Sequence, residues 1–433
     1  MTRKMLTLTS GLVLITLTTI ILAVPVSAAS ATPGWSKTYG GANVDRAYAM
    51  IKTNEGGYAM VGTTNSFGAG IINAFVVKTD GDGNLLWNQT YSGLGQGIAD
   101  AIVQASDNGY AITGYSYSLD ESGGGLAAWV LKTDFSGVLE WNQTFPELGT
   151  AIGYSILQTS DGGFAFVGTS NSIGNGGKEG FLAKLNSTGK MEWNLTYGGV
   201  GDDEVFSVIQ TSDSGFILGG DTSPTQGGPS SLWLIKTDNQ GVMQWNKTYG
   251  NGNDINILST LVRSGDGGYA IIGTVIPANG TAGDDYLLVK VDSSGNVQWT
   301  KTYSASTVDD ALGGIQTGDG GYALVGVSNS SGSAFVKAWL VKADANGNQQ
   351  WNQTYGGVGV NVAGAIVQTA DGGYVLGGYS NSTGFGQDDF WLVKTDAAGI
   401  VPELPTLFIG ALIVSLAIPA VILRRKMKLK NPA

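Results

Sequence analysis

Carboxylates that stand next to one another in polar, glycine-rich stretches are the side chains best suited to chemistry in this sequence. Three such pairs are the candidate ligand-binding residues: Asp202 and Asp203, Asp309 and Asp310, and Asp388 and Asp389. Carboxylate oxygens suit a hard cation such as Ca²⁺, and two carboxylates about 5–10 Å apart can hydrolyse a glycosidic bond. The sequence does not fix their separation. It therefore predicts a ligand site, with Ca²⁺ as an open option, and assigns no catalytic residue.

The residue types that are missing exclude several other chemistries. The 433 residues include no cysteine and no histidine, which rules out disulfides, zinc–thiolate sites and Ser-His-Asp or Cys-His catalysis. The net charge is −11, although many of the basic residues are concentrated at the two ends of the chain. Because contacts to nucleic-acid phosphates need a basic surface, nucleic acid is excluded as a partner, and cations or neutral polymers fit better.

A repeated phrase of lysine, aspartate, glycine and tryptophan organises the elements that must position these carboxylates. Lys132, Asp134, Gly137 and Trp141 form one copy. The repeated tryptophans, at intervals of 52 or 54 residues, are Trp35, Trp87, Trp141, Trp193, Trp245, Trp299 and Trp351. A period near fifty indicates a propeller or a solenoid. The tryptophans are interpreted as packing residues of the repeat.

Each unit contains four short apolar or β-branched runs separated by Gly, Asp and Asn, which is the pattern of four strands joined by turns. Seven such units predict an all-β fold, a seven-bladed β-propeller over residues 29–401. The last unit has Glu403 where the tryptophan should stand, and the missing tryptophan is Trp35, near the start of the chain. We therefore expect the N-terminal strand Trp35–Tyr39 to complete the last blade and close the ring.

Two expectations about packing and loop placement follow from the propeller. A glycine recurs in the second strand of every unit, as at Gly168, and the neighbouring blade's tryptophan is expected to pack against it. The loop that enters each blade and the loop between its second and third strands should share one face. Because the paired aspartates fall in these loops, this face is predicted to be acidic and to bind the ligand.

The repeat resembles known propeller families. The Asp-x-x-Gly-x-x-x-Trp spacing is similar to the tryptophan-docking motif of quinoprotein-type blades, which implies that the tryptophans pack between blades. The cysteine pair common at the cofactor of that family is missing here, so no redox cofactor is implied. The whole unit most resembles the repeats of secreted prokaryotic seven-bladed propeller proteins of unknown function.

The two ends of the chain read as targeting segments. Residues 1–28 have the basic, apolar and small-residue order of a signal peptide, and residues 407–423 form an uncharged apolar run that predicts one transmembrane helix. The basic tail 424–433 should remain cytoplasmic, which places the large domain outside the cell membrane as a single-pass protein. Residues 402–406 followed by this helix and tail resemble exosortase and archaeosortase sorting signals.

Three functions remain open at the level of sequence. The preferred hypothesis is a non-enzymatic binding or adhesion module, anchored in the membrane through its C-terminal helix, for a polysaccharide, a glycoprotein or another envelope partner. The first alternative is a carbohydrate-active enzyme of the glycoside hydrolase type that uses paired carboxylates on the acidic face. The second alternative is a structural envelope protein that binds no small ligand.

Overall fold

Twenty-eight β-strands form seven four-stranded antiparallel sheets in the described part of the chain of this computed structural model. The structure describes residues 34–401 except 70, 93–94, 118–124, 175–176, 279–282, 330–334 and 385. The first strand of every sheet contacts the first strands of the two neighbouring sheets, which closes the sheets into a ring of blades. The all-β, seven-bladed β-propeller predicted from the repeat is confirmed, and within the described residues one 3₁₀ turn, Pro146–Leu148, is the sole helical segment.

The strands are numbered in chain order and grouped here by blade. Blades 1 and 2 contain β2 (Asp45–Lys52), β3 (Tyr58–Thr64), β4 (Asn73–Thr79), β5 (Leu85–Tyr91), β6 (Gln96–Gln104), β7 (Tyr110–Tyr117), β8 (Leu126–Thr133) and β9 (Leu139–Phe145). Blades 3 and 4 contain β10 (Ala151–Gln158), β11 (Phe164–Ser170), β12 (Glu179–Leu185), β13 (Met191–Tyr197), β14 (Asp203–Gln210), β15 (Phe216–Thr222), β16 (Ser231–Thr237) and β17 (Met243–Tyr249). Blades 5 and 6 contain β18 (Ile255–Arg263), β19 (Tyr269–Ile276), β20 (Asp285–Val291), β21 (Val297–Tyr303), β22 (Asp309–Gln316), β23 (Tyr322–Ser328), β24 (Lys337–Ala343) and β25 (Gln349–Tyr355). Blade 7 contains β26 (Asn361–Gln368), β27 (Tyr374–Ser380), β28 (Asp389–Thr395) and β1 (Trp35–Tyr39).

Blade 7 is built from both ends of the propeller. Strand β1 pairs antiparallel with β28, with Trp35 opposite Lys394 and Tyr39 opposite Phe390. The structure thus contains the closure expected from the displaced tryptophan. Pairing the first strand with the last covers an edge of β28 that would otherwise present free backbone donors and acceptors to another chain.

The repeated tryptophans dock on the turn of the next blade. Trp141, on the outer strand of blade 2, lies over Gly189 in the turn between the third and outer strands of blade 3, where a Cβ would come within 2.6 Å of the indole ring. The same ring meets Phe164 edge to face, with centroids 5.9 Å apart. Gly189 has a φ of +81°, so glycine at this turn satisfies both the backbone conformation and the close approach of the indole.

The expectation that a tryptophan packs against the mid-strand glycine is wrong. A Cβ on Gly168 would overlap the carbonyl oxygen of Ile152, on the inner strand of the same blade. This carbonyl is displaced because a β-bulge interrupts the pairing of β10 with β11 between Gly153 and Ser155. The glycine therefore accommodates a bulge within its own blade, and the tryptophan uses the turn glycine instead.

Hydrogen bonds reinforce the same joint between blades. In six of the seven blades the outer strand ends in a tyrosine whose hydroxyl donates to the carbonyl of the neighbouring turn glycine, as Tyr303 does to Gly347 over 2.8 Å. Phe145 takes the tyrosine's place at the end of the outer strand of blade 2 and lacks this donor. Each tryptophan and tyrosine pair thus fixes one turn of the following blade, and the ring is held by repeated local contacts.

The lysine and aspartate of the repeated phrase serve separate structural purposes. Lys342 is buried, lies 2.9 Å from the carboxylate of Asp319 in the turn between the first two strands, and also donates to the carbonyl of Ala343. Asp344 accepts the backbone N–H groups of Asn346 and Asn348, as an aspartate at the start of a turn does. The phrase occurs in seven copies, one in each blade, which argues for a structural role of its lysine and aspartate.

Glutamines form a further set of joints that the repeat analysis overlooked. Gln158, at the end of the inner strand of blade 3, accepts the backbone N–H of Ser106 in blade 2 over 2.7 Å. Four other blade junctions have the same bond, through Gln104, Gln210, Gln316 and Gln368. In five of the seven units a glutamine stands three residues before the aspartate of the turn between the first two strands. This was a visible sequence signal, but the partner of each glutamine lies in another repeat.

The predicted targeting segments lie outside the described residues. These segments are the signal peptide at 1–28, the sorting motif at 402–406, the transmembrane helix at 407–423 and the tail at 424–433. Among the residues that the structure describes, no helix has the length and apolar character needed to cross a membrane.

Candidate functional site

The predicted aspartate pairs lie on the face formed by the inter-blade loops, but each pair is split between two roles. Asp203, Asp309 and Asp389 are the first residues of β14, β22 and β28, and all three are buried. Asp309 accepts the backbone N–H groups of Ala305 and Ser306 over 2.7 and 2.8 Å. Asp203 accepts the N–H of Gly199 in the same way over 2.7 Å. Asp203 and Asp309 therefore hold the loops that enter their blades and face the protein.

Their neighbours in sequence lie nearer the surface. Asp202 accepts the backbone N–H groups of Gly227 and Lys178, and these hydrogen bonds, led by the one from Gly227, lower the pKa of its carboxyl. Asp310 is half-buried, and burial followed by the charges of Asp284 and Asp309 raises the pKa of its carboxyl. Asp202 is thus held by loop N–H groups, whereas Asp310 lies among other carboxylates.

The third pair is at the junction of blades 7 and 1. Asp388 is buried and forms an ion pair with Arg46, with both contacts at 2.7 Å. Asp389 and Asp45 approach each other around Gly40, since a Cβ at that glycine would meet both carboxylates. The described residues contain no group of three or more acidic side chains that could hold a metal ion. The Ca²⁺ option accordingly stays a prediction from sequence.

A ring of side chains around the propeller axis is a candidate site that the sequence reading missed. Every inner strand has a β-bulge at the same position, as between Ala99 and Ala101 in β6. The seven bulge residues are Tyr48, Asp100, Tyr154, Phe206, Ser259, Leu312 and Gly364. All seven are accessible to solvent at least in part, whereas the residue before each is buried. We refer to these seven residues as the bulge ring.

Bulge residues of neighbouring blades meet one another, which places them around the axis. The rings of Tyr154 and Phe206, from blades 3 and 4, have centroids 5.1 Å apart. A Cβ on Gly364, from blade 7, would lie 3.2 Å from the carbonyl oxygen of Tyr48 in blade 1. The bulge ring therefore lines the central channel, with aromatic side chains from blades 1, 3 and 4 and a carboxylate from blade 2.

Asp100 is the chemically unusual member of the bulge ring. Its Oδ2 is out of reach of solvent and has no hydrogen-bond partner among the described residues. Burial raises the pKa of the Asp100 carboxyl to about 7. Its charge in turn adds to burial in raising the pKa values of Tyr115 and Tyr154, so both phenols stand within electrostatic reach of it. A carboxylate left without a partner in an aromatic channel is a candidate ligand contact.

Charged pairs surround the loop-side opening of the channel. Each inner strand has a further side chain two residues before its bulge, nearer the loop-side opening. This second set of side chains comprises Arg46, Ile98, Ile152, Glu204, Ile257, Asp310 and Val362. Arg46 also stacks over Tyr379 at 5.2 Å, and Glu204 accepts Lys178 over 3.0 Å. Glu204 and Lys178 line a cavity of about 90 Å³ that reaches Tyr154. The opening is thus apolar with a few charged groups, as small-ligand sites are.

Replacing Asp100 with Asn should stabilise the protein at alkaline pH. The unfolded carboxyl has a pKa of 3.8 and the folded one about 7. The folded state therefore binds the proton more tightly, so the stability that this carboxyl contributes is full below pH 4 and is lost as the pH rises through 7. Asp100→Asn removes the buried charge, and we expect about 1–3 kcal/mol more stability at pH 8. The gain should be less than half as large at pH 5, because the unfolded carboxyl is already ionised there while the folded one is still protonated. Urea unfolding at both pH values measures this.

Asp202→Asn is the matched control, because the pKa of Asp202 is lowered by its two backbone donors. This variant should lose stability at pH 8, the opposite sign to Asp100→Asn. Equal effects of Asp100→Asn at pH 5 and pH 8 would contradict a raised pKa at Asp100.

Comparison with known proteins finds only solved structures of low identity to this chain. No protein-family model matches the chain, and no curated protein sequence matches it. Among solved structures the chain is similar to a protein of unknown function from Bacteroides caccae, with 10% identity over 64% of this chain and 89% of that chain and a TM-score of 0.41. It is also similar to Sqt1 from Chaetomium thermophilum (10% identity, 84% of this chain and 100% of that one, TM-score 0.46) and to an α-L-arabinanase from Penicillium chrysogenum (11% identity, 68% and 92%, TM-score 0.45). At this level of similarity the ligands and activities of these proteins do not transfer to this chain.

Proposed function

We propose that this protein is a binding module, displayed outside the cell membrane, that takes a surface polysaccharide or glycoprotein into the loop-side opening of its central channel. The observation that carries the proposal is the bulge ring, which combines aromatic faces with one carboxylate that lacks a protein partner. Exposed aromatic side chains offer apolar faces to sugar rings, and a few convergent polar groups give orientation. The proposed location outside the membrane rests on the signal peptide and the transmembrane anchor predicted from the sequence.

The rigid frame favours binding over catalysis by the predicted aspartate pairs. In the pairs at β14, β22 and β28 one carboxylate is buried at the start of a strand. Asp203 and Asp309 accept hydrogen bonds from backbone N–H groups of the loops. A hydrolytic pair needs both carboxylates free to face the same bond. These contacts support binding rather than hydrolysis as the role of these pairs.

One observation still favours a hydrolase as the second candidate. Asp100 has no hydrogen-bond partner at its Oδ2 and a pKa raised to about 7 by burial, whereas Glu204 forms an ion pair with Lys178, so the two carboxyls lie in different environments. Both charges reach Tyr154. Two carboxyls with divergent environments are the pattern of a general acid beside a base or nucleophile.

A retention assay separates these functions. Full-length protein in detergent micelles would be passed over immobilised polysaccharides, and both retained protein and released reducing ends would be measured. We expect retention without release. Tyr154→Ala should weaken retention about tenfold, equivalent to roughly 1.4 kcal/mol, because it removes an aromatic face from the channel.

Phe135→Ala is the control for this assay, since Phe135 is an exposed aromatic in the turn between the third and outer strands of blade 2, away from the bulge ring. It should bind like the unmodified protein. Release of reducing ends that disappears in Asp100→Asn or Glu204→Gln would replace the binding module with the hydrolase. Lack of retention on every polysaccharide and glycoprotein tested would contradict both and leave the structural envelope role.

A further inference from the structure

We propose that the part of the ligand that enters the bulge ring carries a positively charged organic ammonium group, which Asp100 binds against the surrounding tyrosine faces. This inference rests on the proposed function and names the chemical class that the channel selects. A neutral sugar could use the aromatic faces, but it would leave the carboxylate charge uncompensated.

The first argument is the contrast between Asp100 and two other carboxylates near the channel opening, Asp388 and Glu204. Asp388 is matched by Arg46 and Glu204 by Lys178, in ion pairs of 2.7 and 3.0 Å. Asp100 has no such pair among the described residues, and its Oδ2 accepts no described donor. Burial alone accounts for its raised pKa, with no cation acting to lower it. A buried carboxylate is stabilised by a cationic partner, and here the ligand is the available source.

The second argument is the kind of surface around that carboxylate. Tyr48 and Tyr154 flank Asp100 in the order of blades around the bulge ring, and Phe206 lies against Tyr154 at 5.1 Å between centroids. Tyr115, on the second strand of the same blade as Asp100, is close enough for the carboxylate charge to act on it. Aromatic faces beside a carboxylate form the surroundings that attract an ammonium group through its charge and its methyl or methylene carbons.

The third argument concerns how binding should respond to pH. Among the described residues, the Asp100 charge reaches the phenols of Tyr115 and Tyr154. Tyr48 and Tyr117 act in turn on Tyr115, and Glu204 acts on Tyr154. Burial raises the pKa of Tyr115 to about 12 and that of Tyr154 well above its usual range, so these phenols stay neutral up to alkaline pH. Glu204 is held in its ion pair with Lys178. Asp100 is then the group that gains its charge near pH 7, and a permanent cation should bind better above this pH than below it.

Choline and 3,3-dimethylbutan-1-ol are a suitable pair of probes, because they have nearly the same shape and differ in the positive charge. Their binding to the full-length protein would be followed by saturation-transfer NMR of the methyl protons and by calorimetry at pH 8.5 and pH 5.5. We expect choline to bind roughly tenfold or more tightly at pH 8.5 than at pH 5.5. The neutral alcohol should bind more weakly at pH 8.5 and show no such dependence.

Asp100→Asn should abolish both the preference for choline and its pH dependence. This variant is expected to fold, because it removes a buried charge and keeps the shape of the side chain. Asp310→Asn is the matched control, since Asp310 is another carboxyl with a raised pKa but is only half-buried and belongs to the second set of side chains rather than the bulge ring. It should keep the preference for choline.

The outcomes for this inference and for the proposed function are distinct. Retention on a polysaccharide with no preference for choline over the alcohol would overturn the ammonium assignment and leave the binding module standing. Equal binding of choline by the unmodified protein and Asp100→Asn would overturn the role of Asp100. Choline binding that depends on Asp100, with no retention on any polymer, would support the ammonium site and contradict the polymer-binding function.

Discussion

Replacing Trp35–Tyr39 with a Gly-Ser linker of equal length is expected to open the propeller and cost at least about 3 kcal/mol of unfolding free energy. The change removes the outer strand of blade 7 and the indole that lies over Gly83. Five residues of β28 thereby lose their pairing with β1. The exposed edge of β28 should also pair with other copies of the chain. Thermal unfolding measures the loss of stability, and sedimentation velocity measures the self-association.

A peptide spanning residues 34–40 provides the control, because it can restore the missing strand from outside the chain. Added in excess, it should recover the stability of the altered protein and return it to the monomer. The same peptide with Trp35→Ala should restore less, since it lacks the docking side chain. An unchanged melting temperature for the altered protein without peptide would show that closure contributes little to stability.

A second large effect is expected from filling the space under a repeated tryptophan. In Gly189→Ala the new methyl group would approach the Trp141 indole to 2.6 Å, in a turn whose φ is +81°. The backbone strain is about 1–2 kcal/mol, and displacing the indole adds about 1–3 kcal/mol. Urea unfolding gives the total cost, and the change in Trp141 fluorescence should accompany it.

Gly162→Ala separates the two contributions within the same blade. Gly162 has a φ of +83°, nearly equal to that of Gly189, and a Cβ there would meet no atom within 4 Å. It should therefore show the backbone strain without the clash. Equal destabilisation by the two substitutions would mean that the tryptophan yields freely and does not hold the neighbouring blade in place.

These joints explain how one scaffold can carry a variable site. Tryptophan, tyrosine and glutamine contacts between blades lie away from the bulge ring and repeat around the propeller. The residues of the bulge ring differ from blade to blade, from Gly364 to Phe206 and Asp100. Stability is thus supplied by repeated positions and recognition by unrepeated ones, which allows a destabilising residue such as Asp100 to be tolerated at the channel.

The aspartate pairs show where interpretation by residue type reached its limit. The sequence predicted Asp203 and Asp309 in the loops that enter blades, and in the structure they are the first residues of β14 and β22. It could not show that their carboxylates turn inward to bind the N–H groups of Gly199 and Ala305, because that depends on the loop backbone. The same limitation applies to Gly168, whose neighbour is a carbonyl displaced by a bulge rather than a tryptophan.

The sequence by itself determined the number of blades, their four strands and the closing role of Trp35. Those features depend on spacing within one repeat, and a period of 52 to 54 residues repeated along the chain leaves little freedom in how the units stack. The tertiary structure alone decided which side chains reach the axis. One extra residue in each inner strand reverses the alternation of its side chains, and this small shift turns Asp100 into the channel beside Tyr154.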